Sequence, residues 1–70
     1  MSLNNAAEIR LVNSIAVNFG YLPTQQAAAA VADHVNRFWD PRMKRRLFEL
    51  VATQTEDVDP VALAAAALLR

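Results

Sequence analysis

Aspartate precedes proline twice in this chain, at Asp40-Pro41 and again at Asp59-Pro60, and no other feature constrains the fold as much. Proline forces the residue before it out of helical conformation, so no helix can run through either position. Aspartate can cap a helix that starts there. Proline suits the first helical position, where a backbone N–H would be unpaired anyway. Helices are therefore expected to begin at Pro41 and Pro60. Around these starts the chain carries fourteen alanines, one glycine and three prolines. That is the composition of an all-α fold, a small bundle of about four short helices.

The apolar spacing fills in the elements. The first helix is predicted over residues 6–19, with Asn5 as its N-cap and Glu8 three residues on, as in a capping box. Gly20 is expected to end it in the left-handed conformation. Its buried stripe is Ile9, Val12, Ile15, Ala16 and Phe19. The second helix starts at or just after Pro23 and Thr24 and ends near Trp39. Its stripe is Ala28, Val31, Ala32, Val35 and either Phe38 or Trp39, with the alanines allowing a neighbour close. The third helix covers residues 41–53 and buries Met43, Leu47, Leu50 and Val51. A polar loop over 54–58 leads to the fourth, over 60–70. The whole chain reads as a single helical domain, with residues 1–5 disordered.

Composition excludes several chemistries. There is no cysteine, so disulfides and thiolate metal sites are ruled out, and a reducing cytoplasm suits such a short chain. The N-terminus has no basic region followed by an apolar run, as a signal peptide would. The longest apolar run, residues 61–69, falls far short of the roughly 20 residues of a membrane span. We therefore expect a cytoplasmic protein with no membrane partner. Seven basic and seven acidic side chains balance, which argues against a nucleic-acid partner. No hydroxyl sits at a spacing that would pair it with the single histidine, His34, as nucleophile and base. One glycine cannot build a phosphate loop. Neither catalysis nor a bound cofactor or metal is expected of this chain.

Two local rules are broken. The fourth helix is apolar on every side, and such a helix is normally buried all round. Three other helices are too few to surround it, so its far-side leucines, Leu63 among them, are expected to meet another chain. Phe48, off the main stripe of the third helix, adds to that surface. In isolation it could drive homo-oligomerisation. The second violation is electrostatic. Arg42, Lys44, Arg45 and Arg46 occupy the first turns of the third helix, where the macrodipole favours negative charge; each exposed one costs about 0.3–1 kcal/mol. With Arg37, five of the seven basic residues lie between 37 and 46. A solvated basic face is the plain reading. An acidic groove on a partner protein, or an anionic cofactor, is the sharper one.

The hexapeptide Phe38-Trp39-Asp40-Pro41-Arg42-Met43, with His34 four positions before it, resembles the delta subunit of cytoplasmic NAD-dependent formate dehydrogenases. Leu11-Val12-Asn13-Ser14-Ile15-Ala16, then Phe19, stands where that family has Met-Ala-Asn-Gln-Ile-Ala and aromatics. Val58-Asp59-Pro60-Val61 is similar to its Leu-Asp-Pro helix start. Ser14 and Leu11 depart from the pattern, at the surface of the first helix.

The resemblance implies a non-catalytic accessory subunit that binds the catalytic subunit and supports assembly, cofactor insertion or stability. The implied complex carries a molybdenum or tungsten bis-pterin centre, iron–sulfur clusters and FMN; it oxidises formate and reduces NAD. Candidate partner contacts are Arg37, Trp39, Arg42, Arg45, Arg46, Phe48 and Leu63. Arg42 stands first, since arginine suits bidentate recognition of carboxylate or phosphate. His34, Phe38, Asp40, Pro41 and Met43 form the structural signature. Phe38 is expected in the core, and Trp39 either there or at the interface. The alternatives are a free-standing helical interaction domain or homodimer, and a small DNA-binding protein that uses the basic residues 42–46.

Overall fold

The computed structural model describes residues 6–69. Residues 1–5, expected to be disordered and to include the cap Asn5, lie outside the described residues, as does Arg70. Four helices follow in order: α1 (Ala7–Asn18), α2 (Thr24–Phe38), α3 (Pro41–Thr53) and α4 (Pro60–Leu69). A single 3-10 turn, Thr55–Asp57, sits between the last two. No strand occurs among the described residues, and the fold is all-α.

Both Asp-Pro steps start helices. Asp40 is extended, and its Oδ1 accepts from the Met43 backbone N–H at 2.9 Å, with Pro41 at the first helical position. Asp59 Oδ1 accepts from the Val61 N–H at 2.8 Å. Each carboxylate satisfies one donor of a helix start that would otherwise be unpaired. The first helix differs from expectation. Its N-cap is Ala6, whose side chain makes no capping bond, and Glu8 lies in the first turn, where its charge suits the macrodipole.

Gly20 corrects a second expectation, because it does not adopt positive φ. Its N–H donates to Val17 O at 3.0 Å, closing the turn after α1. A Cβ here would lie 3.2 Å from that same oxygen. Close approach to a carbonyl, and not left-handed backbone, is what glycine serves at this position.

One core joins all four helices. Ile9, Val12 and Ala16 of α1, Val31, Ala32 and Val35 of α2, Leu47 and Leu50 of α3, and Ala62 and Ala65 of α4 form it, with Trp39 and Val58 from the links. Ile15, Phe19, Met43 and Val51 pack against its edge, as their spacing predicts. The closest partnership is α2 with α4. Both helices bury small side chains, Ala27, Ala28 and Ala32 on α2 and Ala62, Ala65 and Ala66 on α4, which allow the two backbones to come near.

This arrangement corrects the expectation for α4. Leu63 and Leu69 are half-buried and pack against the core. Leu68 is the outward leucine, 59% exposed.

Phe38 departs from its expected core position, while Trp39 takes the core alternative. Phe38 is 70% exposed, whereas Trp39 is 8% exposed and belongs to the core. Trp39 has left the helix, with φ −98° and ψ 138°, and that extended backbone turns the larger ring inward.

Asn13 ties the two ends of the chain together. Its Nδ2 donates to Asp57 O at 2.9 Å, and its Oδ1 accepts from the Asp59 N–H at 2.8 Å. One amide thus holds the 3-10 turn and the start of α4 against α1.

Candidate docking site

The corner between α2 and α3 is built from four consecutive local choices. α2 ends at Phe38, and the Trp39 N–H still donates to Val35 O at 2.8 Å. Trp39 then turns into the core, Asp40 caps α3, and Pro41 begins it. Lys44 Nζ donates to Asn36 Oδ1 at 3.0 Å, a bond that spans the corner and links the two helices. On the outer side the rings of His34 and Phe38 meet in a tilted contact, with centroids 4.7 Å apart and planes inclined by 46°. Phe38 itself stays 70% exposed.

The cations of the corner divide into two groups. Arg37 Nε lies 3.1 Å from Asp33 on the preceding turn, and Arg46 lies 3.6 Å from Glu49 on the following one. Lys44 is taken by Asn36. Arg42 and Arg45 are exposed and have no hydrogen bond or ion pair among the described residues. Three positions apart on α3, they are neighbours on one helical face. Both lie in the first turns, where the positive end of the helix opposes them. Nothing within the described fold neutralises either. Such a pair can recognise carboxylates or other anions.

The corner gathers most of the residues singled out from the sequence. His34, Arg37, Phe38, Asp40, Pro41, Arg42, Met43, Arg45 and Arg46 come from adjoining segments of α2 and α3. Met43 is half-buried against the core, and Asp40 and Pro41 act on the backbone. Trp39 is spent on the core. Phe48 is half-buried further along α3, and Leu63 sits on α4 with its side chain against the core.

Two asparagines are given no structural role in the sequence reading, Asn36 and Asn13. Asn13 gave a signal, a polar residue directly after the buried Val12. Asn36 gave none, since its partner comes from across the corner.

A second surface feature lies elsewhere, where the N-terminal part of α2 meets the C-terminal part of α4. Thr24, Gln25, Ala28, Ala29, Ala64 and Leu68 line an open groove of about 370 Å³. No group of three or more side chains suited to holding a metal ion occurs among the described residues. No helix is long and apolar enough to cross a membrane.

Comparison with known families gives a match over residues 9–66 to the family described as the NADH-dependent formate dehydrogenase delta subunit FdsD. No curated protein and no solved structure matches the chain.

Proposed function

The chain belongs to the NADH-dependent formate dehydrogenase delta-subunit family, and from that premise we propose that it is a non-catalytic accessory subunit of the enzyme. It binds the catalytic subunit through the α2–α3 corner and supports assembly, cofactor insertion or stability of the complex in the cytoplasm. The observation that carries this reading is the corner itself, where exposed Phe38 precedes a helix bearing two arginines, Arg42 and Arg45, with no partner among the described residues. An unpaired charge pair beside an exposed aromatic is the composition of a protein contact, where arginine and large aromatics are over-represented. The molybdenum or tungsten centre, the iron–sulfur clusters and the flavin belong to the larger subunits in this reading. This chain offers them no ligands and acts on the protein that holds them.

A tagged form of the chain, recovered from its native host under gentle lysis, tests the proposal. Recovery of the large formate dehydrogenase subunit with it is the expected result. Lower molybdenum or tungsten content, or a shorter half-life, of the enzyme made without this chain would then distinguish help in cofactor insertion from help in stability. Recovery of the chain alone, or with itself only, would remove the accessory role.

A further inference from the structure

Deepening that accessory-subunit reading, on which it rests, we infer that the partner surface is acidic: two carboxylates about one helical turn apart, beside an apolar socket. Arg42 and Arg45 take the carboxylates, and Phe38 enters the socket. Of the five cations between residues 37 and 46, Arg37, Lys44 and Arg46 already have partners within this chain. Arg42 and Arg45 have no such partner among the described residues. Three residues of α-helix advance about 4.5 Å along the axis. A matching pair of carboxylates is what an acidic i, i+3 or i, i+4 pair on a partner helix presents.

Both free cations are arginines, whose planar fork binds a carboxylate through two parallel hydrogen bonds, as lysine cannot. Their place at the start of α3 strengthens the case. A carboxylate brought there relieves two cations that the macrodipole disfavours, so binding removes an internal conflict of the free chain. Phe38 supplies what charge alone does not. It is 70% exposed beside the His34 ring, so a partner that covers it removes a large apolar surface from water. An apolar anchor beside just two free cations favours an acidic protein surface over a phosphate backbone, which needs many cations and no anchor.

The test measures affinity between this chain and the formate dehydrogenase assembly purified without it. The double reversal Arg42→Glu with Arg45→Glu is expected to weaken binding at least about tenfold, like-charge contacts being strongly unfavourable. The same reversal should leave the helical circular dichroism intact and raise, or at least not lower, the thermal midpoint, because it corrects the charge at the helix start. The double neutral variant Arg42→Gln with Arg45→Gln is expected to lose most of the wild-type sensitivity to salt. Phe38→Ala should weaken binding at every salt concentration. Folded reversal and Phe38 variants that bind like wild type would overturn the inference. So would loss of binding in Leu68→Glu alone, which would move docking to the α2–α4 groove. Failure of the wild-type chain itself to bind would overturn the accessory reading, and this inference with it.

Discussion

Asn13 is the residue whose loss should be felt furthest from its own position. Its amide makes two hydrogen bonds to backbone 44 and 46 residues away, and both are partly shielded from water. Removing the side chain leaves the Asp57 carbonyl of the 3-10 turn and the Asp59 N–H without their partner; both are part-buried, so the cost lies toward the low end of the about 1–3 kcal/mol of a fully buried group. A core of this size rarely supplies more than about 3–5 kcal/mol. Asn13→Ala should therefore lower the urea midpoint severely, with the slope little changed. A shift as small as that of an exposed control, Ser14→Ala, would show that the bridge contributes little. Asp40 acts more locally. Asp40→Ala loses the bond to the Met43 N–H, worth about 1 kcal/mol at a helix N-cap. It also removes a negative charge from the start of a helix whose first turns carry four cations. Breaking the exposed pair of Arg37 with Asp33 should cost far less, since such pairs contribute roughly 0–1 kcal/mol. Chemical denaturation of Asp40→Ala beside Asp33→Ala checks that order.

Between elements, the decisive packing is alanine against alanine along α2 and α4. Ala65 is buried at this contact, and the closeness of the helices depends on the absence of anything larger. Ala65→Leu should therefore destabilise the fold by about 1–3 kcal/mol through overpacking. Ala67→Leu, on the exposed side of the same helix, should be nearly neutral; thermal melts of the two variants separate them. The same contrast explains what could be read from sequence. Helix starts were legible because Asp40-Pro41 and Asp59-Pro60 act through bonds within three residues. The stripes of α1 and α3 were legible because helical spacing alone sets which residues share a face. The choice between Phe38 and Trp39 was not, since it turns on one extended backbone step at Trp39 that periodicity does not encode. Gly20 was misread for a similar reason. Glycine at a helix end usually means positive φ, but here the constraint is a neighbouring carbonyl oxygen. At the candidate site the cluster of cations was visible, and the pairing of Arg37 with Asp33 and of Arg46 with Glu49 lay in plain helical spacing. The bond of Lys44 to Asn36 needed the corner angle. Once those three cations are paired, Arg42 and Arg45 stand apart.

At the scale of the whole molecule, stability and partnership are one question. Seventy residues with a core rich in alanine bury little apolar surface for their length, so the free chain should sit close to its unfolding threshold. A partner that binds only the folded form then shifts that balance by mass action, by about 2.7 kcal/mol at a hundredfold excess over Kd. For a domain this small, each kcal/mol moves the thermal midpoint by roughly 4–8 °C, so the shift should be on the order of 10–20 °C. Hydrogen exchange distinguishes this linkage from simple shielding. Contact at the α2–α3 corner shields its own amides whatever the stability of the chain. Suppressed global unfolding also slows the core amides of α1 and α4, around Val12 and Ala65, which lie on other elements. We therefore expect peptides from α1 and α4 to gain protection in the complex along with those of the corner. Protection confined to residues near Phe38 and Arg42 would mean that the free chain is already stable and that docking leaves its folding equilibrium alone. Protection throughout would mean that the partner completes the fold of this chain, so that variants such as Asn13→Ala, too weak to persist alone, regain their structure when bound.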